Sequence, residues 1–398
     1  MKQAIYKLKG KLQNYVWGGK NYIPDLLQIE KEENQYYAEW WLGTHRLAPS
    51  IINVDGQEKS LLTFLSENPT ALSQENNQPE LPYLLKILDV AKPLSIQLHP
   101  TKKQAKIGFD LENQKGINLD APTRTYKDQN HKPEMMIALS DFWLLHGFKN
   151  KESIIETLNT RPSLTTLAEK LKKVNLADFY AEIMQANQQQ LSQWILPIIK
   201  ANQDLYQKNK LGLENPDYWL LYTIEAMDIA MDKLDAGLIC FYLFNIVHLK
   251  KGEGIYQDAG IPHAYLRGQN IELMATSDNV IRGGLTPKHI DIPELLKIIN
   301  CEEITPQIIP SAPDEGIFTY TTPATDFALT NINYTQNELY ELNAKDAEIL
   351  LVMQGKINIK TENTSFTLQQ GESVFISANT NYQISSIEMG YAVIAKLP

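Results

Sequence analysis

The sequence predicts a mainly β protein interrupted by a block of helices, and three features carry that expectation. Short apolar runs separated by turn signals fill residues 1–148, with "WGGKN" and "NVDGQ" among the turns. Helical spacing takes over near Asn150 and lasts to about Leu234, after which strand and turn character returns from Gly237 to the end. A weak internal repeat then points to two related β-barrels, only the first of which carries chemistry.

Taken in order, "LPYLLKILDV" and "PLSIQLHP" read as consecutive strands broken by Ala91–Lys92–Pro93. In the second, Leu94, Ile96 and Leu98 alternate with Ser95, Gln97 and His99. Period two gathers the three polar side chains on one strand face, and Pro100 ends the strand there. In the middle block Leu164, Leu167, Leu171 and Val174 fall at helical spacing, with Ser163 placed as an N-cap. The repeat pairs "GEGIYQDAGIPHAY" from Gly252 with "GESVFISANTNYQI" from Gly371. In register, His263 of the first copy falls opposite Tyr382 of the second.

At 398 residues the chain exceeds what one core usually supports, so two or three domains are expected. The formal charge of −10 argues against nucleic acid or an anionic membrane as partner. No apolar run approaches the roughly 18–20 residues that span a bilayer, and the start "MKQAIYKLKGKLQNYVWGG" shows no signal-peptide core. Cys240 and Cys301, the only cysteines, cannot build a disulfide framework, which makes a reducing cytoplasm the expected compartment.

Four segments carry candidate chemistry. Gln97 and His99 share a strand face. "NHKPEMMIAL" sets His131, Lys132 and Glu134 before an apolar strand, and "AGIPHAY" sets His263 after a proline. "NIELMATSDNVIRGGLTPKHID" adds Glu272, Asp278, Arg282 and Lys288. Two histidines, one carboxylate and one amide suit a divalent cation of intermediate hardness, held where strands converge at a barrel mouth. Each segment alone also has a plain structural reading. A single strand histidine is commonly a satisfied structural residue, Glu134 could open a solvated strand, and the Arg282 loop could be a turn before the helix "IPELLKIIN". Their coincidence favours the metal.

"NYVWGG", "AEWWLGTH", "SIQLHP", "NHKPEM", "GIPHAYL" and "SDNVIRGGLTPK", in this order, resemble the type I mannose-6-phosphate isomerase family. The resemblance implies a cupin-type jelly-roll barrel interrupted by a helical domain and followed by a second, C-terminal jelly roll. The expected units are a catalytic barrel over 1–148 plus 237–312, a helical insert over 149–236, and a C-terminal unit over 313–398 without metal ligands. It implies one zinc ion per chain, ligated by Gln97, His99, Glu134 and His263. By the same resemblance Arg282 is catalytic, and Lys132, Glu272 and Lys288 line the pocket.

The implied reaction interconverts mannose 6-phosphate and fructose 6-phosphate through an enediol(ate). It needs a base near C1 and C2 and positive charge near both oxygens. One glutamate and three neutral ligands leave zinc with a net charge of about +1, and Gln97 supplies an oxygen without cancelling it. Glu272 and Lys288 are candidates for the proton carrier, with Lys86 and Lys132 as alternatives. The same lysines, or Arg124, could instead hold phosphate, Ser95 could face substrate or phosphate, and His131 could open the sugar ring. The expected partner is a small phosphosugar, bound by a monomer. Two rival readings are a mononuclear iron dioxygenase using His99, Glu134 and His263, and a sugar-binding barrel without turnover. Gln97 as a fourth ligand counts against the first, because oxygen chemistry needs open coordination positions.

Overall fold

The computed structural model describes residues 3–73 and 79–398, so residues 1–2 and 74–78 of the expected catalytic unit lie outside the described residues. The chain is mainly β. Among the described residues its strands form two sheets, of 11 and 10 strands. No described helix is long and apolar enough to cross a membrane.

The spine of the 11-stranded sheet is the long strand His263–Ala275. Its first half pairs with Ile96–Leu98 and Phe142–Phe148, its second half with Tyr83–Val90 and Glu134–Ala138. It changes partners at Gly268, whose φ of +130° is a left-handed conformation. A Cβ there would stand 2.6 Å from the Phe142 ring and 2.7 Å from the Asp141 carbonyl oxygen. Gly268→Ala should therefore cost about 1–3 kcal/mol, read as a lower midpoint of thermal unfolding; an unchanged midpoint would contradict the bend.

Period two places the charged residues. Leu85, Ile87, Met135, Ile137, Ile271 and Leu273 pack outward into an apolar cluster that also holds Ile349, Leu351 and Phe375 of the other sheet. Their neighbours Leu88, Met136 and Ala138 point the opposite way, into a separate apolar cluster with Phe142, Leu144 and Tyr265. Lys86, Glu134 and Glu272 share that inward parity. All three are buried, at one end of an apolar barrel interior.

The 10-stranded sheet joins the C-terminal strands to Ile5–Lys9, Ile51–Val54 and Gln57–Ser60. Ile5–Lys9 pairs with Ser373–Ile376 on one side and Ile51–Val54 on the other. Hydrogen bonding thus crosses the proposed division at 312/313, and the expected catalytic unit contributes three strands to the C-terminal sheet. Each copy of the repeat opens a short strand, Gly254–Gln257 or Ser373–Ile376. Each then leads across a loop into a long strand, His263–Ala275 or Thr380–Lys396.

The helical block holds five α-helices between Lys151 and Ala226. Leu164, Leu167 and Leu171 are buried, as the spacing predicts. Ser163 is not a cap. It sits inside the short 3-10 turn Pro162–Leu164, where its hydroxyl donates to the Trp194 carbonyl at 2.7 Å. Three α-helices lie within the stretch read as β, Tyr22–Leu27, Leu61–Glu67 and the longest, Lys102–Gln114. The signal of the longest is a capping box, Thr101 with Gln104, directly after Pro100.

Candidate active site

Three ligand-type side chains meet at the end of the barrel interior. His99, Glu134 and His263 are buried, with ligand atoms all within 4.8 Å of one another. His99 Nε2 stands 3.2 Å from Glu134 Oε1, and His263 Nε2 stands 3.4 Å from Glu134 Oε2.

Hydrogen bonding decides what these short distances mean. His99 Nδ1 lies 2.8 Å from the Asn279 carbonyl, and His263 Nδ1 lies 2.9 Å from the Ile261 carbonyl. A carbonyl only accepts, so each Nδ1 carries the N–H. Burial, opposed in part by Glu134, pushes His99 down to about 4, so it is neutral near pH 7 and its Nε2 presents a lone pair. Both Nε2 atoms and Glu134 Oε2 are buried without a hydrogen-bond partner among the described residues. The His99 lone pair and the carboxylate it faces repel unless a cation lies between them. Tetrahedral ligands about 2.0–2.2 Å from a zinc ion stand roughly 3.3–3.6 Å apart, close to the separations here. The residues fit such an ion.

Gln97 stands beside this cluster. In the ladder it lies opposite His263 on one side and Arg282 on the other, and residues directly opposite share a face. His146 extends the same row beyond His263. The Gln97 side chain is half-buried and makes no hydrogen bond among the described residues.

A lysine–carboxylate group adjoins the cluster. Lys132 Nζ lies 3.1 Å from Glu134 Oε1, and Lys86 Nζ lies 3.0 Å from Glu272 Oε2 and 3.8 Å from a Glu39 oxygen. Tyr265 donates to Glu272 Oε1 at 3.0 Å, Trp41 donates to Glu39, and Lys86 also sits over the Trp41 ring. Burial works against the charge on Lys86, yet Glu272 and Glu39 outweigh it and raise its pKa. Burial raises Glu272, against the pull of Lys86. Burial also opposes the charge on Glu134, but the Lys132 ammonium beside it holds it well below the carboxylate range. Three carboxylates against two lysines leave one negative charge over, which a divalent cation would reverse.

Two family models match the chain: phosphomannose isomerase type I, catalytic domain, over residues 5–151, and mannose-6-phosphate isomerase, cupin domain, over residues 316–394. The mannose-6-phosphate isomerases of Salmonella typhimurium and Escherichia coli are each 34% identical over 385 residues, covering 94% of this chain and 95% of theirs. The chain belongs to the type I phosphomannose isomerase family. A crystal structure of the Salmonella typhimurium member bound to fructose 6-phosphate and zinc matches with a TM-score of 0.88 at 32% identity, covering 99% of this chain and all of that one.

Within this family fold the structure sorts the residues singled out in the sequence. His99, Glu134, His263, Lys86, Lys132 and Glu272 come together, with Gln97 and Arg282 in the adjoining row. Arg282 is half-buried, and burial lowers its pKa. Among the described residues it makes no ion pair. Lys288 is exposed on the loop between Ile281–Gly284 and Ile292–Ile298. Ser95 precedes its strand and makes no side-chain hydrogen bond among the described residues.

Two expectations need correction. Arg124 is buried, and its guanidinium is taken up by Glu112, the carbonyls of Tyr126 and Ile117, and the Asn113 side chain. With its donors used, it braces the Lys102–Gln114 helix and is not a phosphate site. His131 lies before the strand Glu134–Ala138, and its Nε2 pairs at 2.8 Å with Asp326 of the C-terminal unit. That pair ties it to the other sheet, away from the cluster.

Sequence reasoning missed Glu39, Trp41 and Tyr265, although "AEWWLGTH" and "GIPHAYL" contain them. A carboxylate beside two tryptophans on an apolar strand was the available signal for Glu39. The second sheet repeats the geometry with other side chains. Glu348 lies opposite Ile376 as Glu134 lies opposite Gln257, and Tyr382 donates to Glu348 at 2.7 Å. A tyrosine in the place of His263 satisfies the carboxylate without a cation.

Proposed function

We propose that this chain interconverts mannose 6-phosphate and fructose 6-phosphate, and that the His99–Glu134–His263 pocket is where it does so. The observation that carries this reading is the convergence of the buried His99 and His263 Nε2 atoms on the Glu134 carboxylate. Gln97, His99, Glu134 and His263 would hold one zinc ion. Zinc bound there supplies fixed positive charge beside the substrate oxygens without redox change.

The chain's own groups divide the remaining work. Glu272 is the proton carrier between C1 and C2. It belongs to no ligand set, and burial makes it a stronger base than a surface carboxylate. Lys86 and Tyr265 fix its two oxygens, which aims it. Lys86 itself is held protonated by its carboxylate partners and does not serve as base. Lys132 balances Glu134, keeping that carboxylate ionised for the metal. Arg282, one strand from Gln97 and without a carboxylate partner among the described residues, stabilises the enediolate charge. Lys288, exposed and unpaired on the following loop, suits a phosphate contact.

Each chain carries a complete pocket, so a monomer suffices. Both cysteines are free, in keeping with a cytoplasmic setting. Arg282→Ala tests the charge assignment. Turnover should fall roughly 10²–10³-fold while zinc content stays at one per chain. Normal turnover with zinc retained would remove Arg282 from the mechanism.

A further inference from the structure

Beyond the pocket itself, the loops that carry its parts are locked together by a buried polar clasp. Asn279 is fully buried and uses its whole side chain. Its Oδ1 accepts from the backbone N–H groups of Lys127 (2.7 Å) and Asp128 (3.2 Å). Its Nδ2 donates to the carbonyls of Asp128 (2.9 Å) and Asn130 (2.8 Å) and to Asp128 Oδ1 (3.1 Å). The Asp128 carboxylate also accepts from the Ser277 hydroxyl at 2.9 Å and from the backbone N–H groups of Asp278 and Asn130, each at 2.8 Å.

This clasp has one outlet toward the candidate metal centre. The Asn279 carbonyl accepts the Nδ1–H of His99 at 2.8 Å, which fixes the tautomer that leaves Nε2 free. The clasped segments also lead directly to Lys132 and Glu134 on one side and to Arg282 on the other. None of the clasp side chains belongs to the ligand group His99, Glu134 and His263, so its members act through other residues.

We infer that Asn279 and Asp128 are positioning residues for zinc: their clasp sets the carbonyl that orients His99, and loosening it weakens metal binding. The inference rests on the zinc reading of His99, Glu134 and His263. Asn279→Asp places an oxygen against two carbonyls and the Asp128 carboxylate, and so opens the clasp without changing size.

The test measures Zn²⁺ dissociation constants by chelator competition on the full-length protein, alongside the visible absorption of the Co²⁺-loaded form. Asn279→Asp should bind Zn²⁺ about 10–100-fold more weakly than the unsubstituted chain, with a shifted cobalt spectrum. Should that variant not fold, Ser277→Ala removes a single hydroxyl and should weaken Zn²⁺ roughly two- to tenfold. Ser386→Ala is the control. It breaks a partly buried hydrogen bond to the Thr335 carbonyl at the other sheet, and should lower thermal stability with no effect on Zn²⁺. Clasp variants that lose stability but keep wild-type affinity and spectrum would overturn the inference, as would an equal loss of affinity in Ser386→Ala. An unsubstituted chain that bound no Zn²⁺ would instead fail the reading of the ligand set, and this inference with it.

Discussion

Glu134→Gln should abolish isomerisation and destabilise the protein at once. Among the described residues Glu134 is the only carboxylate paired with both His99 and His263, and it is also the partner of buried Lys132. Glutamine keeps the shape but removes the charge that draws a cation to the two imidazoles. Activity should drop at least about 10³-fold, at the upper end of what loss of one preorganised electrostatic group produces. Lys132 would then be a buried ammonium without its counter-ion. Breaking one half of such a pair typically costs about 3–5 kcal/mol. Metal analysis and thermal unfolding should therefore change together. A variant that kept one zinc per chain and wild-type stability would contradict both assignments.

Glu272→Gln should separate chemistry from metal binding. Loss of the general base should lower kcat by about 10²–10⁴-fold, while zinc content stays at one per chain. The same residue should set the acid limb of the pH profile. Its pKa is raised by burial, so kcat/KM should begin to fall at a pH above the ordinary carboxylate range as Glu272 takes up a proton. Lys86 pulls that pKa down, so Lys86→Met should move the limb to higher pH. A limb that stayed in place or moved to lower pH in Lys86→Met would show that another group titrates.

The parts of the site that could be read most directly from sequence are those where one strand carries two chemical residues at period two. Gln97 and His99 announce themselves in this way, whereas Lys132 and Glu134 were visible as charged residues just before an apolar strand. Glu272 was visible only inside a longer motif. His131 looked like a member of the group because it adjoins Lys132, yet its ring is taken up by Asp326, some 195 residues away. Arg124 failed for a related reason. A cation next to a loop is equally ready to brace a helix, and only the structure shows its donors already taken by Glu112 and three other partners. The repeat was informative about the fold, since both copies open a short strand before a long one. It was also informative about chemistry, because a tyrosine opposite His263 marks the sheet whose carboxylate is satisfied internally. What the sequence could not disclose was that Ile5–Lys9 joins the C-terminal strands, since such pairing depends on contacts across more than 360 residues. The Asn279 clasp stayed hidden as well, because Asp and Asn in loops are ordinary until their partners are known.

The most direct test of the account is a coupled assay of mannose 6-phosphate isomerisation on the intact chain, before and after exhaustive chelation, with zinc then added back. The account predicts that activity disappears with the metal and returns with about one zinc per chain. Isomerisation that continued unchanged in demonstrably metal-free protein would contradict it.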